Sequence, residues 1–302
     1  MRAPEFDDPE ILRAILESLQ TGVYLVDRER RIVLWNAGAE RITGYLRQDV
    51  LGRCCRDDML VHCDEKNNIV CGTGCPLTGT MRDGQPREAM FYLRHRAGYR
   101  IPVVVRAVPI RDRRGSIIGA AESFDVQRFV SADRRQNLGH ASHIDALTGV
   151  FNFEFTQAQL REHIASFAQK PIPFGLLCIQ IDHLDQLKST RGAEACAAIM
   201  AVVAQTLRNS LRGTDLVGRW GADQFMAIAA NCNGIELQKV AERLANVVSC
   251  SSIPWWGDQL SATVSMGGTI IKPDDTVESI VERAEKSLTK SLEKGGSITL
   301  VE

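Results

Sequence analysis

The strongest constraint on the fold is a change of rhythm near Asp145. Beyond it, stretches with helical spacing at 153–169, 192–211, 235–249 and 276–294 alternate with strand-like runs at 174–182, 216–220, 224–230, 260–269 and 297–301. That alternation predicts a sheet covered by helices. Before it, strand-like runs at 22–27, 31–36, 88–94, 100–110 and 116–124 dominate, punctuated by turn sequences such as DRRG at 112–115, with short helical stretches at 11–19 and 37–45. That pattern predicts an antiparallel sheet with helices on one face. One core cannot serve both rhythms, and 302 residues are enough for two. The fold class is therefore a two-domain α+β and α/β chain, with an antiparallel-sheet domain over 11–126 and an α/β sandwich over 145–302. A connecting helix is expected over 127–144, where Phe129, Val130, Leu138 and Ile144 recur at roughly helical spacing. Such a helix is placed to pair with its copy in a homodimer.

Global properties exclude some partners. With 36 basic against 37 acidic side chains the chain carries no field that would draw it to a nucleic acid or an anionic membrane. Its longest apolar runs, such as IPVVV at 101–105, are strand-sized and far short of the roughly 20 residues of a membrane helix. The N-terminal sequence has no apolar stretch of the signal-peptide kind, so a cytoplasmic location and reduced thiols are expected.

The nine cysteines are unevenly placed. Cys178, Cys196, Cys232 and Cys250 stand singly in apolar segments and suit buried packing, whereas five fall within 54–75. In that insert Cys55, His62, Cys71 and Cys75, with Cys63 as an alternative ligand, form a candidate metal set. Three thiols and an imidazole, or four thiols, can hold Zn²⁺ tetrahedrally, and four thiols can hold an iron–sulfur cluster. A thiol redox switch and a set of free thiols are the alternatives.

The runs GVYLVD at 22–27, IVLWNAGAERITGY at 32–45 and GSIIGAAESFD at 115–125 match a strand, an Asn-bearing helix and a closing strand of the PAS sensory family. The first half resembles a PAS domain over almost its whole length, with the cysteine-rich insert where that family lines its ligand cavity. The second half resembles the GGDEF domain of diguanylate cyclases from DALTGVFN at 145–152, through RWGADQF at 219–225 and VSMGG at 264–268, to AEKSL at 284–288. That resemblance implies bacterial signalling through cyclic di-GMP, which the cyclases make from two GTP molecules.

The chemistry of such a cyclase needs Mg²⁺ held by carboxylates against a triphosphate. In the family these come from the strand that here reads CIQID at 178–182 and from the signature hairpin. Gln180 is an amide at the strand position, Asp182 is kept, Asp223 keeps the hairpin carboxylate, and Gln224 replaces the glutamate after it. The family's lysine, guanine-binding asparagine and later aspartate fall at Asp185, Lys188 and Ala197. Its phosphate-binding lysine and arginine fall at Leu292 and Gly296, and its second signature glycine at Ala222. The expectation is a degenerate catalytic site with no catalytic residues, and with Mg²⁺ bound only where residual activity survives.

The family's product site is different. It binds cyclic di-GMP through an R-x-x-D five residues before the hairpin and an arginine on the next helix. Arg212 and Asp215 have that spacing, Arg243 takes the helix position, and Lys239 lies one turn earlier on the same face. A guanidinium fork meets guanine O6 and N7 bidentately, and a carboxylate accepts from its N1 and N2 edge. The expected protein is a cyclic di-GMP receptor with a metal- or redox-responsive PAS domain. A weak cyclase using Asp223 with Asp182, and an interaction module that binds no nucleotide, are the rival readings.

Overall fold

The computed structural model describes residues 8–57, 59–72, 74–127, 141–294 and 299–301. The chain divides into two compact units, the first ending at Gln127 and the second running to the C-terminus. Most of the connecting helix expected over 127–144, and with it the homodimer contact, falls on residues 128–140, which lie outside those described.

In the first unit, helix α1 (Pro9–Ser18) precedes strands β1 (Gly22–Asp27) and β2 (Ile32–Trp35), followed by the helices α2 (Ala37–Thr43), α3 (Arg47–Val50) and α4 (Pro76–Asp83). Strands β3 (Arg87–Arg94), β4 (Arg100–Arg111) and β5 (Ile117–Val126) complete an antiparallel sheet of order β2-β1-β5-β4-β3. Side chains of Val103, Val105 and Ala107 alternate inward along β4, as the pleat requires. Tyr24, Trp35 and Phe124 pack ring against ring, the Tyr24 and Trp35 centroids 5.5 Å apart.

Asn36 explains why this unit needs an asparagine at the head of α2. It is fully buried, its Oδ1 accepts from the N–H groups of Val23 and Ala39, and its Nδ2 donates to the carbonyls of Leu16 and Thr21. One side chain thus caps a helix and joins it to β1 and to the end of α1.

In the second unit, α5 (Phe153–Gln169) and β6 (Phe174–Ile181) lead into α6 (Leu184–Ser210), interrupted at Gly192, whose φ of 87° and ψ of 174° are not helical. The α6 of the structure is therefore two helices end to end, and the stretch expected over 192–211 is the second. Strands β7 (Leu216–Arg219) and β8 (Gln224–Ala230), helix α7 (Gly234–Ser249), the hairpin β9 (Ser252–Trp255) and β10 (Asp258–Ser261), strand β11 (Val264–Ile270), helix α8 (Val277–Glu293) and strand β12 (Thr299–Val301) follow. The main sheet runs β12-β11-β6-β8-β7.

Central β6 reads FGLLCIQI and is buried along all but Gln180, because helices cover both faces. Helix α7 starts with a reciprocal cap between Asn233 and Glu236. Gly267 lies where α8 crosses β11: a Cβ there would sit 1.9 Å from the backbone nitrogen of Leu288. The glycine admits the helix.

One expectation needs correction. The single strand expected over 260–269 is two, broken at Ala262 and Thr263, because β10 pairs with β9 while β11 pairs with β6. Trp256 stands at the tip of the β9–β10 hairpin with φ of 49° and 90% of its surface exposed.

Candidate functional site

The signature hairpin is the turn between β7 and β8. Trp220 and Gly221 both donate their N–H to the Gln224 carbonyl, at 2.9 and 3.2 Å, which closes the turn. Ala222 is exposed at its tip, with its carbonyl accepting from Arg219 Nη2. Arg219 also pairs with Asp145 at 3.1 Å, so the opening DALTG segment is tied to the hairpin. Burial works to raise the Asp145 pKa, yet hydrogen bonds from the Thr148 hydroxyl and N–H and from Arg219 prevail and hold it below the usual carboxylate range.

Strand register places Gln180 directly opposite Gln224 on β8 and Ser265 on β11. Gln180 Nε2 donates to Asp223 Oδ2 at 3.1 Å, and Gln224 Nε2 donates to Gln180 Oε1 at 3.3 Å. Two amides and one carboxylate thus form a hydrogen-bonded chain, all three half-buried. Asp182 is engaged separately, with the Ser265 hydroxyl on Oδ1 and the Thr263 hydroxyl on Oδ2, both at 2.6 Å.

Beside Asp182 opens a cleft of about 320 Å³, lined also by His183, Gln186, Thr190, Ser261 and Thr263. Asp185 and Lys188 are exposed on the first part of α6, and Leu292 is partly exposed on α8. Gly296 lies outside the described residues. Mg²⁺ asks for several hard anionic oxygens in near-octahedral order. Here one carboxylate is held by an amide donor and the other by two hydroxyls, so these residues do not fit that ion.

The R-x-x-D residues come together at the other end of β7. Asp215 accepts from the Arg212 N–H at 3.0 Å and from the Ala230 N–H at 3.2 Å, which folds the RGTD segment into a turn against the end of β8. Burial raises the Asp215 pKa, with those two N–H groups opposing it. Arg243, on α7, donates from Nη1 to the Ser210 carbonyl at 2.6 Å, two residues before Arg212. Arg212 and Lys239 are exposed, Arg243 partly so. The structure therefore gathers Arg212, Asp215 and Arg243 at one loop, with Lys239 one helical turn from Arg243.

The cysteine insert does not assemble the expected metal centre: among the described residues no group of three or more His, Cys, Asp or Glu side chains is arranged to hold a metal ion. The reason is a cation already there. The Arg30 guanidinium donates to Cys55 Sγ and to Cys75 Sγ, each at 3.5 Å, and to the Cys71 carbonyl. The Cys71 sulfur accepts from the His62 backbone N–H at 3.3 Å. The His62 ring faces Phe91 and lies 3.9 Å from Glu122, and Cys63 is fully buried, its backbone paired with Tyr92. Glu122, itself buried, accepts from the Tyr24 hydroxyl at 2.8 Å. Burial pushes its carboxyl up to about 7 and the Cys55 thiol up to about 12.

Arg30, Tyr24 and Glu122 were not legible as members of this cluster, because Glu122 joins Tyr24 only through the pairing of β5 with β1, and no motif links any of the three to the cysteines. The link from Asp145 to Arg219 was hidden in the same way.

The architecture agrees with the comparisons. The family model described as the diguanylate cyclase GGDEF domain matches residues 142–297, and the PAS fold matches residues 10–122. The chain belongs to the GGDEF diguanylate cyclase family. Its first unit is a PAS domain and its second a GGDEF domain. Among curated relatives, the probable diguanylate cyclase DgcE of Escherichia coli K12 is 24% identical over 88% of this chain, and diguanylate cyclase A of Treponema denticola is 31% identical over 45%. The chain spans only 24% and 38% of those two proteins.

Among solved structures, Pseudomonas aeruginosa diguanylate cyclase SiaD, crystallised with its activator SiaC, is 25% identical, with a TM-score of 0.54 over 56% of this chain and 65% of that one. The Caulobacter crescentus DgcB GGDEF domain, solved with cyclic di-GMP, is 21% identical, with a TM-score of 0.52 over 54% of this chain and 94% of that one, which shows the fold alone. No helix among the described residues is long and apolar enough to cross a membrane.

Proposed function

We propose that this GGDEF protein is a receptor for cyclic di-GMP and makes none of it. The observation that carries the second half is the amide-bearing hydrogen-bonded chain from Gln224 through Gln180 to Asp223. In a working cyclase this place must offer unpaired anionic oxygens to a metal carrying a triphosphate. Here Asp223 is the one carboxylate of the trio, one of its oxygens accepts from Gln180, and two amides stand where further anionic oxygens would be needed.

The first half rests on the loop at the far end of β7. Arg212 is exposed and free to stack on or fork against a guanine, while Asp215 and the Ser210 carbonyl hold the loop and Arg243 in place. Arg243 and Lys239 add positive charge for the two phosphates of the ligand. No metal is needed for that recognition, so losing the metal-binding carboxylates leaves it intact.

Turnover tests the reading. Purified protein incubated for hours with GTP and Mg²⁺ is expected to release no cyclic di-GMP on chromatography. Product that appears with the wild type and vanishes with Asp223→Asn would establish the weak cyclase instead.

A further inference from the structure

The turn between β1 and β2 holds Arg30 at φ of 66°, an uncommon conformation for a non-glycine residue, and from there its guanidinium sits between two sulfurs. Cys55 and Cys75 each lie 3.5 Å from the same Nη2 atom, so their sulfurs are no more than about 7 Å apart. The two thiols differ in access. Cys55 is buried at 6% exposure, whereas Cys75 is partly exposed and stands at the N-cap of α4, with no side-chain hydrogen bond spent on the cap. Cys71 is placed otherwise: it turns its carbonyl to the guanidinium, and its sulfur accepts from the His62 N–H.

We propose that Cys75 and Cys55 are a peroxide-responsive thiol pair, Cys75 the attacking sulfur, Cys55 the resolving one and Arg30 the residue that positions both. The Cys75 thiolate attacks one oxygen of a hydroperoxide. The O–O bond breaks, an S–O bond forms, and the leaving oxygen takes the proton given up by the thiol, so that Cys75 becomes a sulfenic acid. The Cys55 sulfur then attacks the Cys75 sulfur: the S–S bond forms, the S–O bond breaks, and the departing oxygen leaves as water with the Cys55 proton. Two thiols lose two electrons and one hydrogen peroxide becomes two waters.

The guanidinium favours negative charge on sulfur in both steps. A disulfide requires the sulfurs to close to about 2.05 Å, so Arg30 must leave the space between them. Oxidation thereby moves the β1–β2 turn and the start of α4, the two segments the guanidinium holds together. The inference concerns the PAS unit and stands whether or not the GGDEF unit binds cyclic di-GMP.

The full chain, treated with hydrogen peroxide, alkylated and mapped by peptide mass spectrometry, tests this. A Cys55–Cys75 cross-linked peptide lighter by two hydrogens is expected. Cys55→Ser is expected to accumulate a Cys75 sulfenic acid that dimedone traps, and Arg30→Gln to slow cross-linking about tenfold. The wild-type map alone decides if a variant fails to fold. No cross-link, a cross-link confined to Cys71 and Cys75, or one zinc per chain that protects these thiols from alkylation would overturn the proposal.

Discussion

The two ends of the β7–β8 hairpin region differ in what their polar groups hold on to. At one end Gln224 donates to Gln180 and Gln180 to Asp223, so the single carboxylate of the trio has one oxygen engaged by an amide. At the other end Asp215 is spent on the backbone of its own loop, but that spending leaves Arg212 exposed and brings Arg243 alongside. On the reading proposed above, amides in place of carboxylates remove the anionic oxygens that a metal would need. A carboxylate that builds a loop can instead keep a cation available.

The sharpest extension of that contrast lies in the PAS unit, where burial makes a carboxyl hold its proton to higher pH. Glu122 titrates near 7 in the folded chain against 4.5 when exposed, so the folded state binds the extra proton between those values. Its contribution to stability is full below pH 4.5 and is lost as pH rises through about 7, on the order of 3 kcal/mol in all. Thermal melts of Glu122→Gln and wild type are expected to diverge over that window, the variant losing less stability as pH rises; parallel curves would break the account of Glu122.

Putting the carboxylates back is the next largest effect. Gln180→Asp with Gln224→Glu places three acids where one amide chain stood, and denaturant unfolding at pH 8 is expected to show a loss of roughly 2 kcal/mol, relieved in acid, from like charges crowding one site. Unchanged stability would mean that the amide chain is not what keeps the site closed. Asp215→Ala comes third: leaving the Arg212 and Ala230 N–H groups without their acceptor is expected to cost about 1–2 kcal/mol, measured the same way. Arg212→Ala is the smallest, with a stability change under about 0.5 kcal/mol, as for other exposed positions. If Arg212→Ala cost as much as Asp215→Ala, the division between a residue that builds the loop and one that serves a ligand would fail.

Much of this was legible in the sequence, for definite reasons. Strands and helices followed from periodicity, and Asn36 and Gly267 lay within matched motifs, but the cap and the helix crossing that they allow emerged only from the structure. The amide substitutions at 180 and 224 were visible, but not that the two amides would find each other. That depends on register across β6 and β8, which single-strand patterns do not encode. The cysteine insert misled for a related reason. Thiol spacing suggested a metal, while the cation between the sulfurs is a turn residue 25 positions away in the chain from the nearer of them. The break between β10 and β11 was missed because a continuous strand-like run does not reveal which neighbour each half pairs with.

The most direct test of the central claim is calorimetric titration of cyclic di-GMP into the full chain, with Arg212→Ala alongside. The account predicts saturable binding by the wild type, weakened about a hundredfold, or ~2.7 kcal/mol, in the variant. No binding at high micromolar ligand, or equal binding by both proteins, would contradict it.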